Sequence, residues 1–167
     1  MDCRTIDQSI GWDTIAWIKQ VTGLPVIVKG IQTAADALLA VQHGAAALML
    51  SNHGGRQVSS APTPLEVLLE IREHAPHLLG EVELILDGGV RRGTDVVIAL
   101  CLGATAVSLG RPFMYSLPYG TAGATRLIEI LSQEVRTAMA LLGARSVREL
   151  RPDMVNTTAL RRTLAKL

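Results

Sequence analysis

The sequence has few aromatic residues and almost no excess of charge of one sign. Phe, Trp and Tyr make up 3% of its 167 residues, and the formal net charge is +1. A nearly neutral chain offers neither a basic field for nucleic acid nor an acidic field for cationic partners. Its apolar runs fall well short of the ~20 residues that a membrane-spanning helix needs. We therefore expect no nucleic-acid partner and no membrane partner.

Cysteine is also scarce. The two cysteines, Cys3 and Cys101, lie far apart and have no His or Cys neighbours at metal-ligand spacing. This pattern predicts neither a disulfide framework nor a metal site. The first residues carry charges of both signs and no apolar stretch follows them, so no secretory signal is expected. With 49% hydrophobic residues, the chain can form the core of one domain of ordinary size.

Four short apolar runs predict strands. Each run is too short for a helix, carries little charge and lies beside glycine or polar residues, which is typical of a fully buried parallel strand. The runs are residues 26–28, 47–50, 82–86 and 106–109.

Helix signals fall before and between these runs. Thr63, Pro64 and Glu66 form a capping box with proline at the first helical position, and weaker starts stand at Thr33 and Thr94. The predicted helices lie near residues 12–18, 33–44, 63–71, 94–103 and 121–142. One helix followed by four strand–helix units predicts an α/β fold, either half of an eight-stranded TIM (β/α)8 barrel or a small doubly wound sheet. The dinucleotide fingerprint and the P-loop are both absent, which argues against a Rossmann domain and against a nucleotide hydrolase.

Polar or glycine-rich segments follow all four predicted strands. These segments are residues 29–30, 51–57, 87–93 and 110–112. Because function collects at the carboxyl ends of the strands in a parallel barrel, we expect the four segments to share one site. Lys29 would stand at the end of a buried strand, where a structural salt bridge competes with a cofactor contact as its role, and this position favours the cofactor contact.

The last two segments predict a phosphate-binding site. Gly88, Gly89 and Gly110 would let backbone N–H groups approach an anion closely, and Arg91 and Arg111 supply forked, charged donors. Glycine turns with solvated arginines are the structural alternative.

The segment that contains His53 predicts proton transfer. An imidazole exchanges a proton near neutral pH, and Arg56, three residues further on, can bind a carboxylate. The other histidines, His43, His74 and His77, are interpreted as surface or helix-end residues.

Together these segments resemble the FMN-dependent α-hydroxy-acid oxidase and dehydrogenase family, the relatives of glycolate oxidase and L-lactate dehydrogenase. The resemblance rests on residues 24–30, 51–57, 87–95 and 110–112, of which Ser-Asn-His-Gly-Gly-Arg-Gln at 51–57 is specific to the family. It extends from about residue 6 to residue 154, leaving 155–167 as a C-terminal tail. It implies a partial FMN hydroxy-acid dehydrogenase domain, the C-terminal half of the TIM barrel.

The resemblance also implies a role for each site residue. His53 would be the base and would contact a small 2-hydroxy acid, Arg56 would hold the substrate carboxylate, and Lys29 and Ser51 would lie by the flavin ring. The ribityl chain and the phosphate of FMN would be held by Asp87, Gly88, Gly89, Val90, Arg91, Gly110 and Arg111. The product would be a 2-oxo acid, and dioxygen or another acceptor would reoxidise the flavin. His53 serves whether the α-hydrogen leaves as a proton or as a hydride.

Two other functions remain open: a different phosphate-binding barrel enzyme, and a non-catalytic FMN-binding fragment. Half a barrel leaves two sheet edges open, so we expect a homo-oligomer or a missing N-terminal half to complete it. Ala165, Lys166 and Leu167 resemble a C-terminal peroxisomal address, with a cytoplasmic or mitochondrial location as the alternative.

Overall fold

A computed structural model describes residue 7 and residues 9–164, without the side chains of residues 162–164. The strands in this part of the chain are β1 (Ile27–Ile31), β2 (Ala47–Ser51), β3 (Glu83–Asp87) and β4 (Ala106–Ser108). The helices are α1 (Asp13–Thr22), α2 (Ala34–Gln42), α3 (Pro64–His74), α4 (Leu78–Glu81), α5 (Gly93–Cys101), α6 (Arg111–Ser116), α7 (Gly120–Leu141) and α8 (Thr158–Leu164). Short 3₁₀ turns lie at Leu117–Tyr119, Val147–Glu149 and Pro152–Met154.

The hydrophobic core lies between one face of a parallel sheet and the helices. The strands follow one another in the order β1-β2-β3-β4. Leu48, Leu50, Leu84 and Leu86 are at most 2% exposed and pack in one cluster with residues of α2, α3 and α5. A doubly wound sheet would reverse its strand order and carry helices on both faces. Within the described residues, the sequential order and single helical layer are those of half a parallel α/β barrel.

Strand β1 is not the fully buried strand that the sequence predicts. It lies at the edge of the sheet, where Ile27 is 52% exposed, because within the described residues it pairs with β2 alone. The strand also runs on to Ile31, since a register shift between Lys29 and Ile31 forms a β-bulge at Gly30. Lys29 therefore lies inside the strand rather than beyond its end, and its side chain is 44% exposed.

The predicted helices are present, with boundaries shifted by a few residues. The capping box forms in both directions: Glu66 N donates to Thr63 Oγ1 at 3.3 Å, and Thr63 N donates to Glu66 Oε2 at 2.7 Å. Helices α4, α6 and α8 were not predicted, because runs of four to seven residues show too little periodicity. Part of the predicted C-terminal tail is thus helical, and α8 reaches α3 through an ion pair between Arg161 Nε and Glu73 Oε1 at 3.3 Å.

Helices α5 and α7 pack closely against each other at Gly93. A Cβ atom on Gly93 would lie 2.4 Å from the backbone nitrogen of Val135 and 2.5 Å from Cβ of Glu134. Neither atom belongs to the flexible end of a side chain, so the helices themselves would have to move. None of the described helices, α7 included, is long and apolar enough to cross a membrane.

We expect Gly93→Ala to destabilise the fold. Alanine gains about 1 kcal/mol of helix propensity over glycine, but overpacking costs about 1–3 kcal/mol, and here backbone and Cβ atoms must give way. The matched control is Gly80→Ala in α4, where a Cβ would meet nothing within 4 Å. Urea unfolding should show a lower free energy of unfolding for Gly93→Ala and an equal or higher one for Gly80→Ala. Equal effects of both substitutions would contradict this account.

Candidate functional site

A cleft of about 480 Å³ opens at the carboxyl ends of the strands. All of the predicted site residues except Ser51 line it, so the sequence-predicted constellation is brought together in one place. The predicted residues in its lining are Lys29, His53, Arg56, Asp87, Gly88, Gly89, Val90, Arg91, Gly110 and Arg111. The three histidines that were predicted at the surface or at helix ends lie at helix ends outside the cleft. His43 follows α2, His74 closes α3 and His77 precedes α4.

Ser51 lies beneath the cleft and joins the ends of three strands. It is the last residue of β2, is 2% exposed and pairs in register with Asp87, the last residue of β3. Its hydroxyl donates to Asp87 Oδ2 at 2.6 Å and accepts from Lys29 Nζ at 3.1 Å. The backbone N–H of His53 also donates to Ser51 Oγ, at 3.1 Å. One donation and two acceptances use the full hydrogen-bonding capacity of a hydroxyl group.

Lys29 forms the ion pair that the sequence left as one of two interpretations. Its Nζ lies 3.5 Å from Asp87 Oδ2, and the Asp87 side chain is 17% exposed. The ammonium thus faces a carboxylate, a hydroxyl and an imidazole at once, which compensates for the partial loss of its hydration. Because its two charges are opposite, this pair adds no net charge to the floor of the cleft.

His53 is held in an uncommon backbone conformation beside Lys29. Its φ is +57°, the left-handed region, and its ring Nδ1 lies 3.3 Å from Lys29 Nζ. An ammonium can only donate, so Nδ1 accepts, and the neutral ring then carries its proton on Nε2. Among the described residues, no carboxylate lies within ion-pair distance of this ring.

Arg111 links the start of α6 to the loop after β2. It is the first residue of α6, and its Nη2 donates to the backbone carbonyl of Gly54 at 2.9 Å. Gly54 has φ +67°, and a Cβ there would lie 2.7 Å from the same Nη2 atom. The glycine therefore permits both the turn after His53 and the close approach of the guanidinium.

The cleft is strongly cationic. Lys29, Arg56, Arg91 and Arg111 line it and Asp87 is its single acidic residue, which leaves a formal excess of three positive charges. Among the described residues, the Arg56 and Arg91 guanidinium groups have no hydrogen bond or ion pair within the protein. Unpaired guanidinium groups in a cleft are suited to binding carboxylate or phosphate groups.

The amino terminus of α5 is already satisfied by protein carboxylates. Asp95 Oδ2 accepts from the backbone N–H groups of Arg91 and Arg92, each at 2.9 Å, and Glu134 Oε2 accepts from that of Gly93 at 2.7 Å. An anion in the cleft would therefore rely on side-chain cations and on the glycine loops rather than on this helix end.

The structure adds residues that the sequence did not single out. Ser108, Leu109, Met114 and Tyr115 also line the cleft, together with Gly54 and Pro112 of the predicted segments 51–57 and 110–112. Several of them belong to or precede α6, whose only sequence signal is proline near its start. Val90 is 6% exposed and its side chain lies in the hydrophobic core, so only its backbone is suited to the predicted role in binding.

Comparison with known proteins gives a consistent family. The family model described as FMN-dependent dehydrogenase matches residues 1–157. The chain is 45% identical over 161 residues to L-lactate dehydrogenase (cytochrome) of Saccharomyces cerevisiae, covering 95% of this chain and 27% of that protein. It is 46% identical over 154 residues to a peroxisomal (S)-2-hydroxy-acid oxidase of Oryza sativa, covering 92% of this chain and 41% of that protein.

A solved structure has the same backbone fold over the part that matches this chain. A mutant flavocytochrome b2 with pyruvate bound matches with a TM-score of 0.89 and 44% identity, covering 96% of this chain and 42% of the other. This chain thus spans less than half the length of each of these proteins.

We expect Ser51→Ala to destabilise the protein by about 1–3 kcal/mol, because it leaves the His53 N–H and the Asp87 carboxylate each without a hydrogen bond. The control is Ser59→Ala, at an exposed position outside the cleft. Urea unfolding measures both variants. An unchanged free energy of unfolding in Ser51→Ala would show that the hydroxyl does not organise the strand ends.

Proposed function

The chain belongs to the family of FMN-dependent dehydrogenases, and we propose that it carries the site that oxidises a small 2-hydroxy acid to a 2-oxo acid. The observation that supports this most directly is the cleft, which gathers one imidazole and four cationic side chains at the strand ends. The names of the relatives, a lactate dehydrogenase and a 2-hydroxy-acid oxidase, agree with it. Nothing in the comparisons favours the alternative of a different phosphate-binding barrel enzyme.

The residues of the cleft fit FMN. A Cβ on Gly89 or Gly110 would meet no atom within 4 Å, so both loops leave room beside the cleft. The excess of three positive charges matches a phosphate group, of about two negative charges at neutral pH, together with one substrate carboxylate. In this proposal the glycine loops, Arg91 and Arg111 hold the phosphate and ribityl chain, and Lys29 and Ser51 lie by the flavin ring. FMN, when bound, supplies the acceptor for the two electrons that leave the substrate.

His53 and Arg56 act on the substrate in this proposal. Arg56, whose guanidinium has no partner among the described residues, binds the substrate carboxylate through two parallel hydrogen bonds. His53 takes a proton from the substrate. Only three positions separate the two residues, with two glycines between them, so both can face one small molecule.

The contact between His53 and Lys29 sets a condition for catalysis. With the ammonium at Nδ1, the free lone pair of the neutral ring lies on Nδ1 and Nε2 already carries a proton. For Nε2 to act as base, the ring must leave Lys29 and place a proton on Nδ1, opposite an acceptor. Lys29 keeps its Ser51 and Asp87 contacts when that happens.

This contact also favours the second candidate, a non-catalytic FMN-binding fragment. In this structure no described residue accepts a hydrogen bond from His53 Nδ1, which faces Lys29 Nζ instead. We propose that residues 6–154 form part of a larger FMN hydroxy-acid dehydrogenase domain, and that a further segment or a second copy of the chain completes the site. Dioxygen or another acceptor would then reoxidise the flavin.

The test is reduction of bound FMN by 2-hydroxy acids in the absence of oxygen. We expect the full chain with FMN to bleach at the flavin absorption band when a panel of small 2-hydroxy acids is added. His53→Asn should lower the rate of bleaching about 100- to 10,000-fold, the usual contribution of a general base. The control is His77→Asn, an exposed histidine outside the cleft, which should leave the rate unchanged.

Two outcomes would contradict the leading proposal. FMN that binds but is reduced by no hydroxy acid would select the non-catalytic fragment. Equal rates in His53→Asn and the wild type would remove His53 as the base.

We further propose a peroxisomal location, on the basis of Ala165, Lys166 and Leu167, which lie outside the described residues. One relative is itself named as peroxisomal. A fluorescent protein that ends in the last residues of this chain should collect in peroxisomes, and deletion of the final Leu167 should release it. A signal that stays diffuse, or that enters mitochondria, would reject this location.

A further inference from the structure

Glu134, on the outer helix α7, makes two hydrogen bonds to the loop that ends at the amino terminus of α5. Its Oε2 accepts from the backbone N–H of Gly93 at 2.7 Å, and its Oε1 accepts from Arg92 Nη1 at 3.0 Å. The two hydrogen bonds hold the pKa of Glu134 below its ordinary value, the Gly93 bond being the larger cause, so the carboxylate is charged at neutral pH. A residue 41 positions away in sequence thus fixes the end of this loop.

This loop carries part of the proposed phosphate site. Gly88, Gly89 and Arg91 line the cleft, and Arg92 and Gly93 follow directly. Because the Arg92 side chain binds Glu134, it turns away from the cleft, whereas the neighbouring Arg91 guanidinium lines it and stays unpaired among the described residues. The two neighbouring arginines therefore point to different places, Arg92 to Glu134 and Arg91 to the cleft.

The close packing of α5 on α7 leaves no room for a side chain at Gly93. A Cβ at Gly93 would overlap Val135 and Glu134, so the backbone of Gly93 lies directly against α7. Asp95 fixes the same turn from inside α5 by accepting from the N–H groups of Arg91 and Arg92. The turn is thus held from both sides, by Asp95 within α5 and by Glu134 from α7.

We propose that Glu134 is a positioning residue for the binding of the FMN phosphate: it holds Arg92 and Gly93 so that Arg91 and the two glycines face the phosphate. This inference rests on the proposed function. It assigns no contact between Glu134 and the cofactor. Its effect passes through the loop, so it should appear in the affinity for the phosphate and not in the affinity for the rest of the flavin.

The sign of the expected effect separates this role from simple electrostatics. Removing a carboxylate near a phosphate site would, by charge alone, strengthen phosphate binding. Positioning predicts the opposite, because the loop loses one charged acceptor. The two explanations therefore predict shifts in opposite directions.

The experiment compares FMN with riboflavin, which lacks the phosphate, by fluorescence titration of the full chain. Glu134→Gln should raise the dissociation constant for FMN about tenfold, and Glu134→Ala should raise it further, since it removes both acceptors. Gln keeps one oxygen for Gly93 and so rescues part of the affinity. The dissociation constant for riboflavin should change by less than about twofold in either variant.

Two control variants lie on the same helix. Glu129→Gln removes the same charge from an exposed carboxylate whose one ion pair with a described residue is to Arg126, and it should leave both affinities unchanged. Leu127→Ala removes a half-buried apolar side chain from α7 and lowers stability without touching Arg92 or Gly93. It should leave the ratio of the FMN and riboflavin affinities at the wild-type value.

Each outcome decides the question. An unchanged or improved FMN affinity in Glu134→Gln, or an equal loss for FMN and riboflavin, would overturn the positioning role. Such results would leave the proposed function standing if the wild type prefers FMN. A wild-type chain that binds FMN no better than riboflavin would instead reject the phosphate site, and with it both proposals.

Discussion

The in-register pairing of parallel strands at their carboxyl ends is the constraint on which the site depends. The register that sets Ser51 opposite Asp87 brings one hydroxyl within reach of a carboxylate, and the pairing of Lys29 with Met49, ahead of the bulge in β1, places the ammonium of Lys29 beside the same hydroxyl. A shift of one residue would turn each of these side chains to the other face of the sheet. The loop after β2 is held at the same point, because the backbone N–H of His53 donates to the Ser51 hydroxyl.

Cross-helix carboxylates recur around this edge of the sheet. Glu70 on α3 accepts from the N–H of Ala34 at the start of α2, at 3.0 Å, just as Glu134 on α7 accepts from Gly93 at the start of α5. In both cases a neighbouring helix neutralises a helix amino terminus, whose exposed N–H groups would otherwise attract anions. At these two helices the capped N–H groups are therefore not available to an anion in the cleft.

Sequence reasoning reached the features that are encoded locally. Glycine and polar runs after apolar runs predicted the ends of β2, β3 and β4 to within one residue, but not the end of β1. The Thr63 and Glu66 pair predicted a helix start that forms as expected. The exposure of β1 was missed, because the burial of a strand depends on which strands lie beside it. The Arg92–Glu134 contact was missed for a similar reason: 42 positions separate the two residues, and no periodicity links them.

The left-handed backbone at His53 narrows what chemistry this position can ever support. It is the one non-glycine residue with positive φ in the described part of the chain. Besides glycine, the residues that adopt this conformation most readily are asparagine, aspartate and histidine. Of these, histidine alone titrates near neutrality without a perturbed environment. The shape of the turn and the need for a group that takes up and releases a proton therefore both favour histidine. Asparagine or aspartate would keep the shape of the turn but would not exchange a proton near neutral pH in an ordinary environment.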